Sequence, residues 1–240
     1  MEETKFNATV AVDLEESDIN EPQDQQNISE EYLDLLEDQY ERYAADCESA
    51  MDKALLSINI LNKAFEHSDE GNPFDRIEHR LKKFKSVKGK CRDRGYALTL
   101  ESIVENIRDV AGIRIITKYL DEVNIIKEMI FKIPDINVIS VKDYIESPKK
   151  NGYKSIHLNC QVGIYDPLNG SRMRPVEIQI RSETMHLWAS HDHDLIYKNE
   201  IKPQEIEDEL LDIAESCDKF ESRFINLRNK VRALKKAESN

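Results

Sequence analysis

Apolar positions recur every three or four residues at Leu33, Leu36, Tyr40, Tyr43, Cys47, Met51, Ala54, Ile58, Leu61 and Phe65, which predicts one long amphipathic helix. Ser29 is placed to cap its start, and Asp69-Glu70-Gly71-Asn72-Pro73 is a turn signal for its end. A second, shorter helical region is expected to carry a basic cluster and stop near Gly95, with another helix around 99–108. The period then changes. Ile113-Arg114-Ile115-Ile116-Thr117 reads as a strand, Asp121 as the cap of a helix through Ile130, and Asn137 to Val141 as a further strand. Ile156, Leu158, Cys160 and Val162 alternate with Ser155, His157, Asn159 and Gln161, the mark of a strand with one buried face. After a loop through Asp166, Pro167, Asn169 and Gly170, Val176-Glu177-Ile178-Gln179-Ile180 alternates again, so Glu177, Gln179 and Arg181 share a polar face.

From 182 the helical pattern returns, and Pro203 suits the first turn of the last helix. In that helix Ile206, Leu210, Ile213, Cys217, Phe220, Phe224, Leu227, Val231 and Leu234 follow steps of four and three, a narrow seam that packs on the first helix or on another subunit. Residues 1–28 lack periodicity and read as an acidic, disordered or loosely attached arm. The chain therefore divides into that arm, an N-terminal helical region at 29–70, a core at 71–200 and a C-terminal helix at 201–240, which serves for packing or oligomerisation.

Composition narrows the class. A chain of 240 residues with 40% apolar residues can bury one sizeable core with helical flanks. No run is apolar enough to span a membrane and the start is not a secretory signal, so a cytoplasmic protein is expected. Cys47, Cys91, Cys160 and Cys217 form no CxxC pair, which argues against a structural zinc site or a disulfide framework. The net charge of −13 disfavours DNA as a partner, but it is unevenly spread. Residues 1–30 hold nine acids against one lysine, whereas 76–95 hold nine Lys or Arg against two acids, a local basic segment suited to a compact polyphosphate or to a solvated helix face.

Two carboxylates stand out. Asp109 lies at a helix-to-strand junction and Glu177 inside an otherwise apolar strand, and a magnesium ion is commonly held by one or two carboxylates together with substrate phosphates. Lys149-Lys150-Asn151-Gly152-Tyr153-Lys154 combines a turn glycine, a flat aromatic surface and cations ahead of the strand that carries His157. There is no GxxxxGK[ST] loop and no GxGxxG, so side chains must grip any nucleotide phosphates. His191 and His193 are two apart on a helix and do not face one ion. Trp188 reads as core packing.

Taken in order, Arg80-Leu81-Lys82 with Ser86 and Gly95, Arg108-Asp109-Val110-Ala111-Gly112-Ile113-Arg114, Lys142-Asp143-Tyr144-Ile145, Pro148 to His157, Val176 to Arg181, and Trp188-Ala189 leading into His193 and Tyr197-Lys198 resemble the synthetase domain of the RelA/SpoT superfamily, specifically its small alarmone synthetases. The similar stretch runs from about Asn72 to Lys198. The resemblance implies an α+β fold, a mixed β-sheet flanked by helices and related to nucleotidyltransferases. It also implies a magnesium-dependent pyrophosphokinase that moves the β,γ-pyrophosphate of ATP to the 3′-hydroxyl of GDP or GTP. In those terms Asp109 binds Mg2+ and Glu177 completes the metal site or activates the acceptor hydroxyl. Arg80, Lys82 and Arg114 hold ATP, Lys149, Asn151, Tyr153 and His157 take the guanosine nucleotide with Tyr153 stacking on the base, and Gln179 and Arg181 support the same face.

A homo-oligomer is implied, a tetramer rather than a dimer, while regulation by RNA is left open. A hydrolase domain of the kind long relatives carry has no room within these residues. Asp192 and Asp194 depart from the family pattern, as does Phe84 where proline is common. Two rivals stand beside this assignment: a superfamily toxin that pyrophosphorylates the 3′ end of tRNA, and a non-catalytic nucleotide-sensing assembly protein.

Overall fold

The computed structural model describes residues 29–68, 71–167, 170–197 and 204–238. The acidic arm, Asp69-Glu70, Asn169, Lys198 and Pro203 lie outside the described residues. Helix α1, Glu30–Glu66, starts where Ser29 Oγ accepts a hydrogen bond from the Tyr32 amide at 3.2 Å, and its buried stripe includes Leu36, Tyr40, Cys47, Met51 and Ile58. Strand β1, Phe74–Leu81, is followed by α2, Phe84–Arg94, and α3, Leu100–Asn106. Then come β2, Ala111–Thr117, α4, Leu120–Ile130, β3, Ile136–Asp143, β4, Ile156–Asp166, and β5, Gly170–Ser182. Helix α5, Glu183–Asp192, runs into a π-helical turn, His193–Tyr197, and α6, Gln204–Glu238, closes the chain.

The five strands form one mixed sheet in the order β1-β2-β5-β4-β3, in which only β2 and β5 run parallel. Long helices stand at both ends, so the α+β architecture expected from the sequence is the one observed. The period-two alternation sorts the strands into two faces. Ile113, Ile115, Ile156, Leu158, Cys160, Ile178 and Ile180 are buried in one core with the stripe of α1 and with Val123, Ile126 and Ile130 of α4. The opposite face is polar.

Two local expectations are corrected. The basic cluster does not sit on a single helix, because its first part, Arg76 and Arg80, belongs to β1, paired antiparallel with β2, and only the part from Phe84 onward is helical. Ile77 and Leu81 are four apart, a spacing that fits a helix as well as a strand, so the pattern misleads. Helix α4 is capped by Tyr119 rather than Asp121: the Tyr119 amide donates to Glu122 Oε2 at 3.1 Å, and Asp121 stands in the first turn, where it favours the helix dipole.

Helix α6 packs on the loop between β3 and β4. Leu210 and Ala214 join Tyr153, Trp188 and Ala189 in a small second core, and Trp188 Nε1 donates to the Leu210 carbonyl at 2.9 Å. Gly152 is required at this junction: its φ is +84°, and a Cβ there would lie 2.6 Å from Ala214 Cβ. Gly152→Ala is therefore expected to cost about 1–3 kcal/mol, visible as a lower urea midpoint, and an unchanged midpoint would mean that α6 does not hold this position. No helix among the described residues is long and apolar enough to cross a membrane.

Candidate active site

Strand register builds the polar face as two rows. Arg80 pairs with Gly112, Gly112 with Glu177, and Glu177 with Asn159; two residues along, Glu78 pairs with Arg114, Arg114 with Gln179, and Gln179 with His157. Residues two apart on a strand share a face, so both rows point the same way. Asp109 enters three residues before Gly112, just ahead of β2, and shares one cavity with Glu177, Arg80, Arg114 and Gln179. The convergence of Asp109 and Glu177 on one cavity is the arrangement their separation in the chain left open.

Asp109 is gripped by cations. Lys82 Nζ lies 2.5 Å from Oδ2 and Lys90 Nζ 2.8 Å from Oδ1. Lys82 is fixed through its backbone, since its amide donates to the Val110 carbonyl at 2.8 Å and Tyr40 Oη of α1 donates to its carbonyl. Burial alone pushes the Asp109 carboxyl up, but the two ammonium groups outweigh it and hold the pKa at about 2. Lys90 was not singled out from the basic segment by sequence. Its signal is its place eight residues beyond Lys82, after the chain has turned from β1 into α2.

Next to this cleft lies a second cavity of about 590 Å³, whose wall includes Arg80, Lys82, Lys83, Lys90, Arg94 and Asp109. It shares Arg80 and Asp109 with the first cavity. Glu78 and His79 also line the first cavity, and sequence reasoning passed over both because it took this stretch for helix.

Glu177 is held from two sides. His157 Nδ1 is 3.0 Å from its Oε1 and Gln179 Nε2 donates to Oε2 at 2.7 Å. Burial raises its pKa, while the hydrogen bonds from His157 and Gln179 bring it below the ordinary value. The charge on Asp109 pushes it back up, so two ionised carboxylates repel across one cleft. Hard oxygen donors in that state suit a magnesium ion, which a site of two carboxylates and substrate phosphates can hold. Among the described residues no group of three or more His, Cys, Asp or Glu is arranged for a metal, so oxygens from outside the protein, water or substrate phosphate, would complete any such site.

Arg114 Nη1 donates to Glu78 Oε2 at 3.1 Å, and its Nε is buried with no partner. Arg181 is 6% exposed, and its guanidinium reaches Tyr153 Oη and Gln179 Oε1. Tyr153 itself is 9% exposed, with Lys149 Nζ 4.6 Å from its ring centroid and Trp188 and Tyr144 against it. In this arrangement the ring is not an open stacking platform, because the second core beneath α6 encloses it. Lys149 and Asn151 do not line the cavity between the carboxylates; Asn151 Nδ2 instead donates to Asp192 Oδ1 at 3.4 Å. That contact gives the unusual acid of α5 a position beside the loop.

Comparisons with known proteins bear on the family and the fold. The family model described as the region found in RelA/SpoT proteins matches residues 79–202. The chain is 30% identical over 183 residues to GTP pyrophosphokinase YwaC of Bacillus subtilis, covering 76% of this chain and 87% of that protein. It is 29% identical over 204 residues to GTP pyrophosphokinase YjbM of the same organism, covering 84% and 94%. The crystal structure of Bacillus subtilis small alarmone synthetase 1 bound to its product pppGpp superposes with a TM-score of 0.74 at 28% identity, covering 80% of this chain and 98% of that one. With the model match spanning more than half of its length and two relatives aligned over most of theirs, the chain belongs to the RelA/SpoT family.

Proposed function

We propose that this protein is a synthetase-only GTP pyrophosphokinase that transfers the β,γ-pyrophosphate of ATP to the 3′-hydroxyl of GDP or GTP, giving ppGpp or pppGpp and AMP. One observation carries the chemistry: two ionised carboxylates face a single cleft that opens beside a larger cavity rich in lysine and arginine. ATP occupies the larger cavity. Its triphosphate draws Lys82 and Lys90 away from Asp109, with Arg80 and Arg114 on the side toward Glu177. Asp109 and Glu177 would hold Mg2+, which supplies charge compensation for the phosphates.

The acceptor lies on the side of His157 and the 149–153 loop. Lys149 leaves the Tyr153 ring for the acceptor's phosphates, and this uncovers a face for guanine. The 3′-oxygen attacks the β-phosphorus, the bond from that phosphorus to the oxygen bridging it to AMP breaks, and Glu177 takes the hydroxyl proton. Arginine and lysine side chains fixed before the reaction stabilise the charge that spreads over the transferring group.

Labelled ATP incubated with magnesium and, separately, GDP, GTP or tRNA tests this. Label is expected on GDP and GTP with one AMP per product. Label on tRNA would establish the toxin reaction instead, and untouched ATP would establish a non-catalytic binder.

A homo-oligomer is part of the same proposal. Phe220, Phe224, Leu227, Val231 and Leu234 of α6 are all more than 40% exposed, whereas Leu210 and Ala214 of the same helix are buried on the core. A stripe of that kind suits a second copy of the chain. Light scattering is expected to give a multiple of 27.9 kDa that falls to the monomer mass for Phe224→Asp with Leu227→Asp; a wild-type monomer would contradict it.

A further inference from the structure

Arg181 is nearly buried and does not line the cavity between the carboxylates, yet it is charged. A guanidinium withdrawn from water is costly unless its donors are satisfied, so its partners matter. Nε donates to Ser155 Oγ at 3.3 Å. Nη2 donates both to Tyr153 Oη at 2.6 Å and to Gln179 Oε1 at 2.9 Å. Each bond dictates the next, because arginine has donors only. Gln179 must turn its oxygen to Arg181, so its Nε2 faces Glu177 Oε2 at 2.7 Å. Tyr153 Oη, having accepted from Arg181, has its one hydrogen left for His157 Nε2 at 2.7 Å. His157 then carries its proton on Nδ1, which donates to Glu177 Oε1 at 3.0 Å.

These bonds close a ring from Arg181 through Tyr153 and His157 to one oxygen of Glu177, and from its other oxygen through Gln179 back to the same guanidinium nitrogen. We infer that Arg181 is the positioning residue of the transfer reaction: from behind the site it fixes the Gln179 rotamer and the His157 tautomer that together orient Glu177 toward the acceptor hydroxyl. The inference rests on the proposal that Glu177 activates that hydroxyl. Arg181 need not meet either nucleotide, and its effect should fall on turnover rather than on binding.

Arg181→Lys keeps the charge but loses the planar fork. Its kcat is expected to fall about 100-fold, the cost of a misplacement of about 1 Å in a reacting group, with KM for ATP unchanged. In a Gln179→Ala/Tyr153→Phe background, where both arms of the ring are already cut, the same substitution is expected to cause no further loss. A purely structural arginine would lower stability alike in both backgrounds and leave no such difference in kcat. Wild-type kcat in Arg181→Lys, or an equal loss in both backgrounds, would overturn the inference. If Arg181→Lys does not fold, Gln179→Ala/Tyr153→Phe carries the test: lowered kcat supports the ring, and wild-type kcat overturns it. Glu177→Gln separates the two levels. An active Glu177→Gln removes the underlying proposal, whereas an inactive Glu177→Gln beside a fully active Arg181→Lys removes the inference alone.

Discussion

Asp109→Asn is expected to lower turnover by at least about 10³-fold while the protein still folds and still binds ATP. The substitution keeps the size of the side chain and removes its charge. It leaves Lys82 and Lys90 facing each other without the carboxylate that now sits within 2.8 Å of both. Free ammonium groups are good partners for a triphosphate, so ATP affinity measured calorimetrically without metal is expected to hold or improve. The loss belongs to the metal-dependent step. Near-normal AMP release by the Asn variant would remove Asp109 from the mechanism.

The same carboxylate has a signature in stability. Its pKa is about 2 in the folded protein against an ordinary 3.8, so its pairing stabilises the fold fully above about pH 4 and ceases to do so as the pH falls toward 2. Wild type should therefore be more stable than Asp109→Asn at neutral pH, with the gap closing over that acid range.

Glu177→Gln is expected to cost about 10²–10⁴-fold in kcat, the range of a lost general base, with little change in ATP affinity. Isosteric replacement is unusually harmful here because both neighbours donate. His157 and Gln179 each offer N–H to the carboxylate, so the new amide must turn its own NH2 toward one of them. Single-turnover measurement of AMP release separates this chemical defect from slow product release. A variant that turns over at the wild-type rate would show that Glu177 does not activate the acceptor.

What could be read from the sequence followed from how regular each pattern was. The alternation is regular over 156–162 of β4 and 176–180 of β5, so the polar face carrying His157, Glu177 and Gln179 is legible in the sequence itself. Strand β1 has no such rhythm, because it pairs with β2 alone at the sheet edge and buries little beyond Phe74. Its contribution of Glu78 and His79 to the site was hidden with it. The burial of Tyr153 was equally hidden, since it depends on α6 returning across the chain to lay Leu210 and Ala214 against Trp188. Heptad spacing announced that α6 had an apolar seam but not that one end of it covers the 149–153 loop while the rest stays exposed. Long-range contacts of this kind leave no local trace.

The pairing of Asp109 with two lysines is likewise tertiary, and it defines the test that matters most. A crystal structure with a non-hydrolysable ATP analogue and Mn2+ locates the ion by its anomalous signal. An ion about 2.0–2.2 Å from oxygens of both Asp109 and Glu177, with Lys82 and Lys90 transferred to the triphosphate, is the predicted result. An ion bound away from Glu177, with Asp109 still clasped between its two lysines, would contradict the account.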